Sequence, residues 1–158
     1  MTRKLFIALS LALYAFAPAG AASATDTLGR ESPQSSVTGF LEACRSRDYD
    51  RASQYLDLNQ IPAAYRQREG ADLARKLEAI LNSDPGFNAL RLSRNPEGNL
   101  ADNSDPNRDT VTTISQNGGK VALYLERVAL PGGGAQVWLF STDTVALSPT
   151  SRLRRWRP

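Results

Sequence analysis

Thr110-Val111-Thr112-Thr113-Ile114-Ser115-Gln116-Asn117-Gly118-Gly119-Lys120-Val121-Ala122-Leu123-Tyr124-Leu125 is the stretch whose reading decides the fold. Its first half is dense in β-branched residues, which suit a pleated, half-buried surface. Asn117-Gly118 is the dipeptide that two-residue hairpin turns favour, because such turns need positive φ. Beyond it Val121, Leu123 and Leu125 alternate with smaller or polar neighbours, the period of a strand with one buried face, and Val128 is taken to continue that face. The stretch therefore reads as an antiparallel hairpin.

Reading outward to the C-terminal side, Pro131–Gly134 is another turn and Gln136–Ser141 a third strand carrying Trp138 and Phe140. Thr142–Leu147 reads as a brief helix or as an edge strand. On the N-terminal side, 100–108 is a polar loop, Asn95-Pro96-Glu97-Gly98 a turn, and Leu90–Ser93 a short candidate strand. The sheet is thus expected to have about four strands.

Further upstream the apolar period changes from two to that of a helix. Glu69–Asn82 is the clearest case: Leu73, Leu77, Ile80 and Leu81 line one side, Asp72 and Lys76 stand four apart on the other, and Asp84-Pro85-Gly86 ends it. Residues 57–68, with Pro62, look less regular. Ser32-Pro33 opens an earlier helix, serine as N-cap and proline at the first helical position. Val37, Phe40, Leu41 and Cys44 then form its apolar stripe. Asp48 can cap a second, shorter helix through Leu56, with Ala52, Tyr55 and Leu56 inward, so that Ser46-Arg47-Asp48 is the elbow of a helical hairpin. Helices first and an antiparallel meander afterwards predict an α+β domain: a helical hairpin plus one longer helix packed on a curved sheet.

The two ends differ from this body. Thr2-Arg3-Lys4, an apolar run from Leu5 to Phe16, the breakers Pro18 and Gly20, and Ala22-Ser23-Ala24 together read as a secretory signal peptide over residues 1–24. The run is short of the about 20 apolar residues that a membrane span needs. The expected organisation is a signal peptide (1–24), a polar leader (25–31), one α+β domain (32–149) and a basic, Trp-containing tail (150–158). The expected location is exported and periplasmic, with membrane association through the tail as an option.

Of the 19 basic residues in this chain of 158, two lie in the first four positions and four in the last seven. Between Thr25 and Ser151 that leaves 13 against 16 acidic residues, so the body is acidic and the formal charge of +3 belongs to the ends. Nucleic acid is not an expected partner. Histidine is absent, which removes the commonest general base and the commonest metal ligand. The single cysteine, Cys44, can form no internal disulfide.

Several constellations have plainer readings than chemistry. Residues 103–109 space oxygen-bearing side chains as a calcium loop does, but they lack glycine at the sixth position, and Ile114 stands where a bidentate glutamate should be. Asp48 and Asp50 are accounted for by capping and the helix dipole. Cys44 is a small core residue. Gly132-Gly133-Gly134 has neither the strand-to-helix setting nor the lysine of a phosphate loop. No catalytic residue, cofactor or metal is expected. Trp138 is read chiefly as core, with a ligand pocket at Trp138 and Tyr124 as the alternative. Arg154, Arg155, Trp156 and Arg157 have the composition of a lipid-headgroup interface. A solvated tail, or an end altered by truncation or frameshift, is the alternative there.

Ser32–Ala43, Arg47–Ala52, Tyr55–Leu58, Ala71–Leu77, Asn95–Gly98, Leu125–Val128, Val137–Ser141 and Thr144-Val145, taken as an ordered set, resemble the N-terminal extramembrane domain of MscS-like mechanosensitive channels of Gram-negative bacteria. In that family the domain precedes transmembrane helices and a pore. Here the chain ends where that membrane region would approach, so the resemblance implies an accessory periplasmic domain lacking the pore, from a truncated or split gene. Its partner would be a membrane channel subunit or another envelope protein. The helical hairpin also resembles small exported domains of the nuclear-transport-factor-two-like cone fold, which implies helices wrapped on a curved sheet. The leading expectation is a non-enzymatic exported interaction domain; the alternative is a small-ligand-binding cone domain.

Overall fold

Ser32 and Pro33 do what their types favour: Ser32 caps a helix, α1 (Pro33–Arg45), with its side chain accepting from the Ser35 N–H while Ser35 Oγ accepts from the Ser32 N–H. A computed structural model describes residues 26–101, 105–116, 118–130 and 135–147. The signal-peptide reading of residues 1–24, the glycine run 132–134 and the basic tail lie outside the described residues.

α1 ends in a Schellman turn. The Asp48 N–H returns to Ala43 O (2.9 Å), the Arg47 N–H to Cys44 O (2.8 Å), and Arg47 takes φ +59. Asp48 then caps α2 (Tyr49–Ser53) by accepting from the Arg51 N–H at 2.9 Å. Helix α2 is shorter than its sequence pattern predicts. The chain leaves it at Gln54 because Tyr55 and Asp57 are needed elsewhere, along the sheet edge.

α3 (Ala63–Ser83) is 21 residues long and begins directly after Pro62. Its first six residues are all exposed, so they carry no apolar stripe, and the periodic signal starts only near Glu69. Leu73, Leu77 and Leu81 are buried as the stripe requires. Asp72 pairs with Arg75 at 2.9 Å instead of the expected Lys76. Gly70 lets α3 lie close over α2: a Cβ there would meet Ser53 and Leu58 side-chain atoms at 2.9 and 2.8 Å.

The sheet has three antiparallel strands in the order β1-β2-β3: β1 (Arg108–Gln116), β2 (Gly119–Ala129) and β3 (Gln136–Phe140). Gln116 faces Gly119, which leaves a two-residue turn with Gly118 at φ +79. Between Thr110 and Thr112 the register slips by one, a bulge that lets Val111 enter the core. Leu123, Leu125, Trp138 and Phe140 share the inner face, toward the helices. Phe140 meets Phe40 of α1 edge-on, ring centroids 5.0 Å apart, and buried Ser36 donates to Trp138 O at 2.7 Å. Val128 lies on the other face from Leu123 and Leu125, because parity along β2 places Arg127 on their side.

The expected strand at Leu90–Ser93 is instead a 3-10 turn, Ala89–Arg91. The Asn88 side chain accepts from the Leu90 N–H (2.9 Å), and Ser93 O takes the Gln34 N–H (3.0 Å), one of the donors that the start of α1 leaves unpaired. The free edge of β3 is covered from other parts of the chain. Phe140 exchanges bonds with Tyr55 O (2.8 Å) and the Asp57 N–H (2.9 Å), and the Trp138 N–H donates to Arg30 O (2.8 Å). Thr142–Ala146 forms a helix, α4, capped by Ser141. Among the described residues no helix is long and apolar enough to cross a membrane.

Candidate functional site

Trp138 and Tyr124 do not share a cavity. Trp138 belongs to the inner face and is 0% exposed; its indole N–H donates to Pro96 O at 3.0 Å, and Gly98 lies against the ring. Tyr124 belongs to the outer face. There the Arg108 guanidinium sits 4.7 Å above its ring and also bonds Glu126 (3.0 Å from Nε) and Asp143 (3.2 Å). The Glu126 hydrogen bond is the main cause that raises the Arg108 pKa further. Arg154, Arg155, Trp156 and Arg157 lie outside the described residues.

The titratable groups are tied into the framework. Cys44 is buried, and burial pushes its thiol up to about 12, with Glu78 adding to the effect. It is therefore protonated at neutral pH and a poor nucleophile. Tyr49 donates to Glu78 at 2.9 Å under the Arg75 guanidinium, and that hydrogen bond raises its pKa. Asp84 accepts from Thr112 Oγ1 (2.5 Å) and the Gly86 N–H (2.9 Å), which hold its carboxyl below the usual range. Among the described residues no group of three acidic or cysteine side chains could hold a metal ion. Of the calcium-like spacing, Asp105 accepts from the Asn107 N–H and Asp109 from the Asn99 N–H, while 103 and 104 are outside the described residues.

Two hollows remain. The first is an open cleft of about 530 Å³ between residues preceding α1, α2, the segment 56–59 and the start of α3, lined by Arg30, Ser53, Asp57, Asn59, Arg66 and Leu139 among others. Arg30 reaches it from the expected leader, which is built into the body: its guanidinium bonds Asp26 (2.8 Å) and Gln54 O (2.6 Å). Burial alone would raise the Asp26 pKa, but the Arg30 bonds outweigh it and hold the carboxyl below its ordinary value. Asp57 accepts from the Asn59 N–H (3.0 Å) and Thr142 Oγ1 (3.2 Å).

The second hollow is a groove of about 520 Å³ between α1, the end of α3 and the segment 87–90. Leu41, Phe87, Ala89 and Leu90 form its apolar part, with Arg45, Glu78 and Asn82 at its side. Leu90 is 71% exposed.

No protein-family model, curated protein or solved structure matches the chain. Neither hollow was legible in the sequence. Each draws its lining from three or more distant segments, and Leu90 was assigned to a strand.

Proposed function

We propose that the protein is a non-enzymatic, exported accessory domain that binds a protein of the cell envelope, a membrane channel subunit in the first instance. The observation that carries this reading is the groove at Leu41, Phe87 and Leu90. It combines a strongly exposed leucine, a half-buried aromatic and flanking charges, the make-up of a protein contact with an apolar centre and a polar rim. The signal-peptide pattern and the ordered resemblance to the extramembrane domain of MscS-like channels support the location and the class of partner. The engagement of Cys44, Tyr49, Asp57 and Arg108 in structural contacts is consistent with a binding role.

A photo-crosslinking residue at position 90 tests it in intact cells. Transfer to a membrane channel subunit or another envelope protein, reduced at least tenfold by Arg45→Glu, supports the reading. Label confined to the chain itself, or unaffected by Arg45→Glu, sinks it.

The cleft at Arg30 favours a second reading, a small-ligand-binding domain. Its volume lies in the range of small-molecule sites, and it presents two arginines, two aspartates and three side-chain amides beside Leu56, Leu58 and Leu139. Thermal-shift screening of small polar metabolites against wild type and Arg66→Ala checks it. A shift in wild type that Arg66→Ala loses is the expected result, and no shift at millimolar ligand counts against it.

A further inference from the structure

The two edges of the sheet are treated differently. On β3 every backbone group from Trp138 to Phe140 that points away from β2 is engaged by Arg30, Ser36, Tyr55 or Asp57. The parity of those bonds fixes the rest of the sheet. Trp138 and Phe140 point their N–H and C=O groups outward, so Val137 and Leu139 point theirs to Val128 and Glu126 of β2. The odd-numbered residues of β2 then face β1, where Val121 and Leu123 pair with Ile114 and Thr112. It follows that Thr113 and Ser115 point their backbone N–H and C=O away from the sheet. Among the described residues neither has a hydrogen-bond partner on that side, and both side chains are exposed.

Apart from one bulge, this edge also lacks the usual protection. From Thr110 to Gln116 there is no charge and no proline, and the bulge at Val111 leaves a regular strip from Thr112 to Gln116.

We propose that a second copy of this chain pairs with that strip, β1 against β1 in antiparallel register about a twofold axis at Ile114. In this register Thr113 faces Ser115 of the other copy on both sides of the axis. Their four N–H groups and four C=O groups then match as two hydrogen-bonded pairs, making four bonds. Ile114 meets its own counterpart in the close, non-hydrogen-bonded pair, inner face against inner face, and its half-buried side chain gains cover. Thr112 faces Gln116. Uncharged residue meets uncharged residue throughout, so no like charges oppose, whereas an acidic or basic strand would find no counter-charge. The register centred on Thr113 is inferior: it offers one such pair and sets Ser115 against the bulged Val111. The strip is short, so the dimer is weak and dynamic. The inference is independent of the groove at Leu90.

Sedimentation equilibrium of the protein as cells produce it, from about 5 to 500 µM, should show a monomer–dimer equilibrium with Kd of about 10–300 µM, in the range of small interfaces. Thr113→Lys, exposed on the outer face, should weaken it at least tenfold, and so should Ser115→Glu. Mixing the two variants should restore association, because the lysine of one faces the glutamate of the other. Amide exchange at Thr113 and Ser115 should slow between 5 and 500 µM in wild type, which reads the pairing without any substitution. Wild type that stays monomeric at 500 µM, a dimer indifferent to Thr113→Lys, or exchange at these amides that ignores concentration overturns the proposal. So does a foreign strand found on this edge of a monomeric protein.

Discussion

Gly98 lies flat against Trp138: a Cβ on Gly98 would come within 2.8 Å of Trp138 Cη2, and the residue holds φ +81. The turn that bears Gly98 also offers Pro96 O to the indole N–H, so a loop of the chain closes over the largest side chain of the core. Gly98→Ala combines a left-handed backbone with overpacking and should cost about 2–4 kcal/mol. Urea unfolding followed by tryptophan fluorescence checks it, and a cost below about 0.5 kcal/mol would show that this contact is not formed.

Asp26 and Arg30 make the stretch before α1 part of the body. With its folded pKa held below 3.8, Asp26 stabilises the protein above that value, and the contribution disappears as pH falls through the folded pKa. Asp84, lowered by Thr112 and Gly86, works in the same direction. Urea midpoints should therefore decline below about pH 4. Asp26→Asn should flatten that decline, and Asp26→Ala, which leaves the Arg30 guanidinium buried without its counter-charge, should cost about 2–4 kcal/mol at neutral pH.

Arg47 occupies the left-handed position of the Schellman turn with an exposed side chain. Arg47→Gly should raise stability by about 0.5–1 kcal/mol, because glycine adopts that backbone without the Cβ penalty. Thermal unfolding measures it; an unchanged or lower Tm would contradict the turn geometry.

Cys44 should resist an aromatic disulfide reagent at pH 8 and react once urea unfolds the chain, because it is buried and protonated. A folded pKa raised from 9.0 to about 12 means that its contribution to stability is complete below pH 9 and is lost progressively between those values. Cys44→Ala should remove that alkaline slope. Rapid labelling of the folded protein is the contrary result.

Much of the fold was legible because local chemistry and tertiary need agree. Ser32-Pro33 starts a helix, Asp48 caps one, and Asn117-Gly118 turns a hairpin, each with partners within a few residues. The start of α3 was missed because Ala63–Arg68 face solvent and show no apolar period. The strand expected at Leu90–Ser93 was wrong because Asn88 and Gln34 take its backbone groups into a turn. Tyr124 and Trp138 sit on adjacent strands, yet the parity of the β2–β3 register sends them to opposite faces. The cleft at Arg30 was invisible because residues read as a polar leader supply part of it.

By itself, then, the sequence determined the α+β class, the order of helices before an antiparallel hairpin and a third strand, and most of the apolar residues that form the core. Those properties follow from short-range period, capping and turn preference, which act between residues close in the chain. Only the tertiary structure decided that Arg30 and Tyr55–Asp57 cover one sheet edge while, among the described residues, nothing bonds the outward backbone groups of Thr113 and Ser115 on the other. Which backbone groups of a sheet meet solvent depends on register and on segments tens of residues away, and no local pattern encodes that.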